Sequence, residues 1–119
     1  MPETESQQIL PGFTSELGRI IHGDCLSVVS TLREECIDLI ITSPPYADNR
    51  KKSYGGVPIK HYVEWFLPIS DQLRRVLKSE GSFILNIKER AINGERQTYV
   101  LELILEMKKQ GWLWIEEYM

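Results

Sequence analysis

The chain reads as an α/β protein built on a mainly parallel, doubly wound sheet. Two observations lead there. Two short apolar runs, residues 38–42 (DLIIT) and 82–87 (SFILNI), have the length and continuous apolar character of strands buried on both faces. Segments with helical spacing stand between the strand candidates and give the order β-α-β-α-β-α-β. Strands separated by helices imply parallel pairing through right-handed crossovers. The length of 119 residues fits one domain.

Residues 1 to 16 read as a tail, with a turn signal at Pro11-Gly12 and no apolar periodicity. Residues 17–119 make the domain. Residues 19–22 (RIIH) form the first strand candidate, ending at Gly23. Residues 26–33 suit a helix, with Leu26, Val29 and Leu32 at helical spacing and Asp24 placed to cap it. After the DLIIT strand, residues 43–58 form a loop rich in Pro and Gly. Residues 59–78 are helical in pattern, with Tyr62, Phe66, Ile69, Leu73 and Leu77 along one side, and Pro68 should kink or split that helix. Gly81 introduces the SFILNI strand. Residues 91–96 turn around Asn93-Gly94, and residues 97–110 form a helix stopped by Gly111. Residues 112–119 are the last strand candidate.

Composition excludes several function classes. A hydrophobic fraction of 42% and a charged fraction of 26% are ordinary for a globular domain. The net charge of -3 argues against a small basic protein whose whole surface grips nucleic acid, though a local basic patch remains compatible. Cys25 and Cys36 have no metal-ligand spacing, and His22 and His61 add none, so no metal site is expected. Two free thiols in a buried core is the plain expectation. No apolar run approaches the length of a membrane span, and the polar start MPETESQQ is not a signal peptide. A cytoplasmic protein without membrane contact is expected.

Ligands of doubly wound sheets bind beyond the carboxyl ends of the strands. Two such positions carry chemistry. One is Gly23-Asp24-Cys25; the other is residues 42–46 (TSPPY). Each proline of TSPPY fixes its own φ, restricts the residue before it and lacks an N–H. The strand therefore stops in a stiff turn rich in carbonyl acceptors, to which Ser43 adds a hydroxyl and Tyr46 a flat aromatic face. That combination suits a planar ligand carrying an amino group. In a nucleobase the amine lone pair is delocalised into the ring. Two preset acceptors on its hydrogens favour a pyramidal nitrogen and free the lone pair with little reorganisation. The aromatic ring would hold a base taken out of the duplex. The plain alternative is that Pro-Pro merely terminates a strand and the tyrosine merely packs.

The segment HGDCLSVV followed by DLIITSPPY resembles the N-terminal part of the permuted DNA amino-methyltransferases, which modify cytosine N4 or adenine N6. FLPISDQLRRVLKSEGSFILNIKE and GWLWIEEYM are similar to the segments that follow in that family. The resemblance implies a Rossmann-like methyltransferase fold, S-adenosylmethionine as cofactor and double-stranded DNA as partner. It assigns Ser43, Pro44, Pro45 and Tyr46 to the catalytic motif. The Ser43 hydroxyl and Pro44 carbonyl would hold the target amine, and Tyr46 would stack on the flipped base. Asp24, with Cys25 beside it, maps to the cofactor-contacting position after the preceding strand. From their place in the loop after Tyr46 rather than from the resemblance, Arg50, Lys51 and Lys52 read either as DNA phosphate contacts or as an ordinary solvated loop, and Tyr54 with Gly55-Gly56 as part of a lid over the site. Serine at the first motif position favours cytosine N4 over adenine N6.

The family also needs a glycine-rich turn for the cofactor, usually aromatic-x-Gly-x-Gly, and no Gly-x-Gly occurs in the sequence. In the permuted order that turn comes late, after the target-recognition region. The chain is therefore expected to be an N-terminal fragment carrying a partial catalytic domain. A missing C-terminal part or a complementing chain would complete it, and a homodimer is a separate partner considered for it. Two other readings stand beside this one. The first is an inactive remnant or nucleic-acid-binding module of the same fold. The second is an RNA or protein amide methyltransferase, which more often carries Asn before Pro-Pro and places its glycine-rich motif upstream.

Overall fold

A computed structural model describes residues 12–45, 47 and 57–118. Chain order is β1 (Gly12–Thr14), β2 (Arg19–Ile21), α1 (Cys25–Val29), β3 (Ile37–Thr42), α2 (Ile59–Val76), β4 (Leu77–Leu85), β5 (Ala91–Ile92), β6 (Glu95–Arg96) and α3 (Tyr99–Gln110). β3 and β4 pair in parallel, with Leu39 opposite Ser82 and Thr42 opposite Leu85. They are joined through α2, the βαβ unit expected from the alternation of strand and helix. No helix among the described residues is long and apolar enough to cross a membrane.

The core lies between α2, α3 and one face of this pair. α2 buries Tyr62, Phe66, Ser70, Leu73 and Val76, a stripe at spacings of three and four. α3 buries Tyr99, Val100, Leu103 and Met107 against it. Phe83 and Leu85 of β4 pack onto the same cluster. Pro68 lies inside α2, yet the helix runs unbroken from Ile59 to Val76. It is not split, because its buried stripe holds both halves on one core.

Polar contacts lock the helices together. Ser70, fully buried, donates to Gln110 Oε1 at 2.7 Å and accepts from Trp112 Nε1 at 2.8 Å. Gln110 Nε2 donates to the Leu67 carbonyl at 2.9 Å. Arg75 donates to the carbonyls of Val29 at 3.1 Å and Leu32 at 2.9 Å, which ties the end of α1 to α2. Lys78 meets Asp38 at 3.0 Å across the parallel pair. The strands pass so closely at Gly81 that a Cβ there would lie 2.9 Å from the Asp38 carbonyl oxygen.

Local signals in the sequence correspond to local structure. Asp24 caps α1 by accepting from the Ser27 amide at 3.1 Å. Asn93 and Gly94 take positive φ of 55° and 83° and close the β5–β6 hairpin. Gly111, at φ 113°, ends α3.

Four expectations need correction. The strand at Arg19–Ile21 does not join the parallel sheet. It pairs antiparallel with β1, which lies in the segment read as a tail. The connection is short and held by Ser15 N–H to the Gly18 carbonyl at 2.7 Å, so this pairing closes at little entropic cost. The DLIIT strand is not buried on both faces. Leu39, Ile41 and Ile84 are 51%, 66% and 48% exposed, because α2 and α3 cover only one side. Residues 112–118 form no strand; Leu113 and Ile115 are exposed and no described strand lies beside them to satisfy their backbone. Finally, the first helix stops at Val29, four residues before the expected end at 33.

Ser70→Ala should destabilise the chain by about 1–3 kcal/mol, since it strips partners from the Trp112 indole N–H and the Gln110 amide. Equilibrium urea unfolding of the two proteins measures this. A change within about 0.5 kcal/mol, the range of an ordinary surface substitution, would show that the network does not lock the helices.

Candidate active site at the carboxyl end of the parallel pair

β3 ends at Thr42, and the chain leaves the sheet through Ser43, Pro44 and Pro45. This is the carboxyl end of a parallel strand, where the ligand side of such a sheet lies. The neighbouring strand runs alongside for one residue more: the Asn86 amide donates to the Thr42 carbonyl at 2.9 Å. That contact brings the Asn86 side chain to Ser43, with Nδ2 3.5 Å from Oγ. Ser43 is exposed, Pro44 buried and Pro45 half-buried. The hydroxyl thus faces solvent while the first proline wedges the turn into the protein.

The turn is anchored from below. The Tyr62 hydroxyl donates to the Pro45 carbonyl at 2.6 Å. Tyr62 is fully buried, one turn into α2. Just beyond, Ala47 is 1% exposed and bridges to Val57 in parallel. Tyr99 of α3 packs against the Tyr62 ring, with centroids 5.1 Å apart, and its hydroxyl donates to the Lys88 carbonyl in the segment leaving β4. Ala47, Lys88, Glu89, Arg90, Ala91 and Tyr99 line an open cavity of about 280 Å³.

Asp24 and Cys25 lie on a different element. They begin α1, a helix of five residues none of which is buried. Asp24 Oδ2 accepts from both the amide and the hydroxyl of Ser27, each at 3.1 Å, so one carboxylate oxygen serves as a helix cap. Cys25 and Cys36 are free thiols, but the expected burial is not met: Cys25 is exposed and Cys36 half-buried. Partial burial, and secondarily the Asp24 charge, push the Cys25 thiol above its ordinary value, so it is neutral at physiological pH. Among the described residues, no hydrogen bond links Asp24 or Cys25 to the Ser43 turn. Tyr46, Arg50, Lys51, Lys52 and Tyr54 lie outside the described residues.

Sequence reasoning therefore placed Ser43, Pro44 and Pro45 together at a strand's carboxyl end. It missed Asn86 beside Ser43, Tyr62 on the Pro45 carbonyl, and Tyr99 packed behind Tyr62. A signal existed for two of them. Asn86 is the one polar residue within the ILNI run, and Tyr62 puts a hydroxyl into an apolar helix stripe, where a buried phenol must find a partner.

Comparison with known proteins bears on what this turn is. The family model described as DNA methylase, of the N6/N4 type, matches residues 37–118, a stretch that includes Ser43–Pro45 and begins after Asp24. Type II methyltransferase M.PvuII of Proteus hauseri is 33% identical over 99 residues, covering 82% of this chain and 30% of that protein. M.BamHI of Bacillus amyloliquefaciens is 39% identical over 87 residues, covering 68% of this chain and 20% of that protein. The solved structure of the PvuII DNA methyltransferase, described as cytosine-N4-specific, superposes with a TM-score of 0.62 at 35% identity. It covers 73% of this chain and 32% of that one. The chain thus spans under a third of the length of these relatives, and it shares their methyltransferase fold as an incomplete α/β unit. On the match across residues 37–118, the chain belongs to the N6/N4 DNA methylase family.

Proposed function

We propose that this chain carries the amine-holding part of a DNA amino-methyltransferase that moves a methyl group from S-adenosylmethionine to an exocyclic base amine, cytosine N4 in preference to adenine N6. The observation that carries the reading is the Ser43–Pro45 turn at the carboxyl end of β3, within a chain of the N6/N4 family. Ser43 is exposed and Pro44, next to it, is buried, so a hydroxyl and a carbonyl adjoin in sequence on a turn stiffened by two prolines. The family resemblance assigns the Pro44 carbonyl to the amine, and the Pro45 carbonyl beside it accepts from Tyr62. The two acceptors take the amine hydrogens and release its lone pair from the ring. Tyr46 stacks on the base, and Arg50, Lys51, Lys52 and Tyr54 meet the DNA. The preference for cytosine follows from Ser43, and the cytosine-N4-specific description of the PvuII structure supports it.

The donor, when bound, supplies a methyl already activated on a sulfonium. Asp24, which caps α1, and the adjoining Cys25 are the described residues that the family resemblance sets toward it. No step is assigned through the cofactor on this chain. Double-stranded DNA is the proposed substrate, and polypeptide equivalent to the rest of the relatives' length is the proposed source of the cofactor site.

Two outcomes are expected. Residues 1–119 alone should bind S-adenosylmethionine weakly or not at all, and a calorimetric titration showing tight one-to-one binding would contradict this. In the enzyme containing this chain, Ser43→Ala should slow single-turnover methylation of duplex DNA on the order of a hundredfold while cofactor affinity stays nearly unchanged. Mass spectrometry of the digested product should show N4-methylcytosine. Wild-type rates from Ser43→Ala would remove the turn from the chemistry.

A further inference from the structure

A turn made of two prolines has no amide donors at either position, so it cannot be tied down by its own N–H groups. Its handles are its carbonyls, and a donor must reach them from elsewhere in the fold. That donor is the Tyr62 hydroxyl, 2.6 Å from the Pro45 carbonyl oxygen across seventeen residues of sequence. Taking as its basis the reading of Ser43–Pro45 as the amine site, we propose that Tyr62 is a positioning residue of that site. Its hydroxyl sets the orientation in which the Ser43 hydroxyl and the Pro44 carbonyl meet the target amine.

The surroundings of Tyr62 suit that role. It projects from an eighteen-residue helix, and none of it is exposed. Its ring is held edge-on by Trp65, centroids 5.3 Å apart, and by Tyr99 at 5.1 Å. Tyr99 in turn donates to the Lys88 carbonyl. Two tyrosines from two helices, their rings in tilted contact, therefore hold two post-strand segments: the turn after β3 and the exit from β4 that lines the cavity. A buried tyrosine that only filled space would satisfy its hydroxyl with any nearby carbonyl. Here the carbonyl belongs to the residue next to the proposed amine acceptor. Small misplacements of such a group are costly, since a displacement of about 1 Å can lower turnover on the order of a hundredfold.

Tyr62→Phe removes the hydroxyl and keeps the ring. In the enzyme containing this chain it should lower the single-turnover methyl-transfer rate on the order of tenfold to a hundredfold, with DNA affinity and cofactor affinity close to wild type. In residues 1–119, amide exchange at Ser43 and Ala47 should accelerate, while amides in the middle of α3, such as Leu103, stay protected. Ser70→Ala is the stability control. It removes a buried hydroxyl remote from the turn and should leave the transfer rate unchanged. Wild-type transfer by Tyr62→Phe, exchange that accelerates throughout the core, or an equal rate loss in Ser70→Ala would each overturn the proposal. Ser43→Ala, run alongside, separates the two levels. If Ser43→Ala is slow and Tyr62→Phe is normal, only the role of Tyr62 fails. If both are normal, the amine-site reading fails with it.

Discussion

Two adjacent prolines that cannot donate hydrogen bonds are the constraint around which this chain is organised. They end β3 and force the chain out of the sheet at the point where a parallel strand offers its ligand side. They also make the turn dependent on its neighbours. The strand beside it contributes the Asn86 amide to the Thr42 carbonyl, and the helix beneath it contributes Tyr62 to the Pro45 carbonyl. The aromatic cluster of Tyr62, Trp65 and Tyr99 thus joins the packing of α2 against α3 to the geometry of the turn. Helix packing and the turn's position are linked at one hydroxyl.

The same chain is one-sided. A parallel sheet is at home with both faces covered, yet here α2 and α3 cover one face and Leu39, Ile41 and Ile84 stand open on the other. The candidate site shows a parallel division. The acceptors proposed for the amine are present and anchored, whereas Asp24 and Cys25 form only a small, exposed corner at the start of a short helix. Both features accompany a match to under a third of the length of the PvuII relative.

What was legible in the sequence was what neighbouring residues decide. Asn93-Gly94 announces its hairpin because both residues accept positive φ, and Gly111 ends α3 for the same reason. Asp24 caps α1 because its partner is three residues away. The βαβ unit and the Ser43–Pro45 turn at its carboxyl end follow from strand and helix periods alone. The failures share a cause, which is dependence on partners far along the chain. Residues 112–118 have strand character but no described strand beside them, and the apolar DLIIT run gives no indication that one face is bare. Tyr62 and Asn86 became site residues only when folding carried them seventeen and forty-three positions back to the turn.

The central claim concerns two acceptors and one amine. A crystal structure of the enzyme containing this chain, bound to duplex DNA with a cofactor analogue that cannot transfer methyl, tests it most directly. The account predicts a base turned out of the duplex with its exocyclic amine about 3 Å from both the Ser43 hydroxyl oxygen and the Pro44 carbonyl oxygen, and Tyr62 still on Pro45. A target amine held by other groups, with Ser43 and Pro44 out of hydrogen-bonding reach, would contradict it.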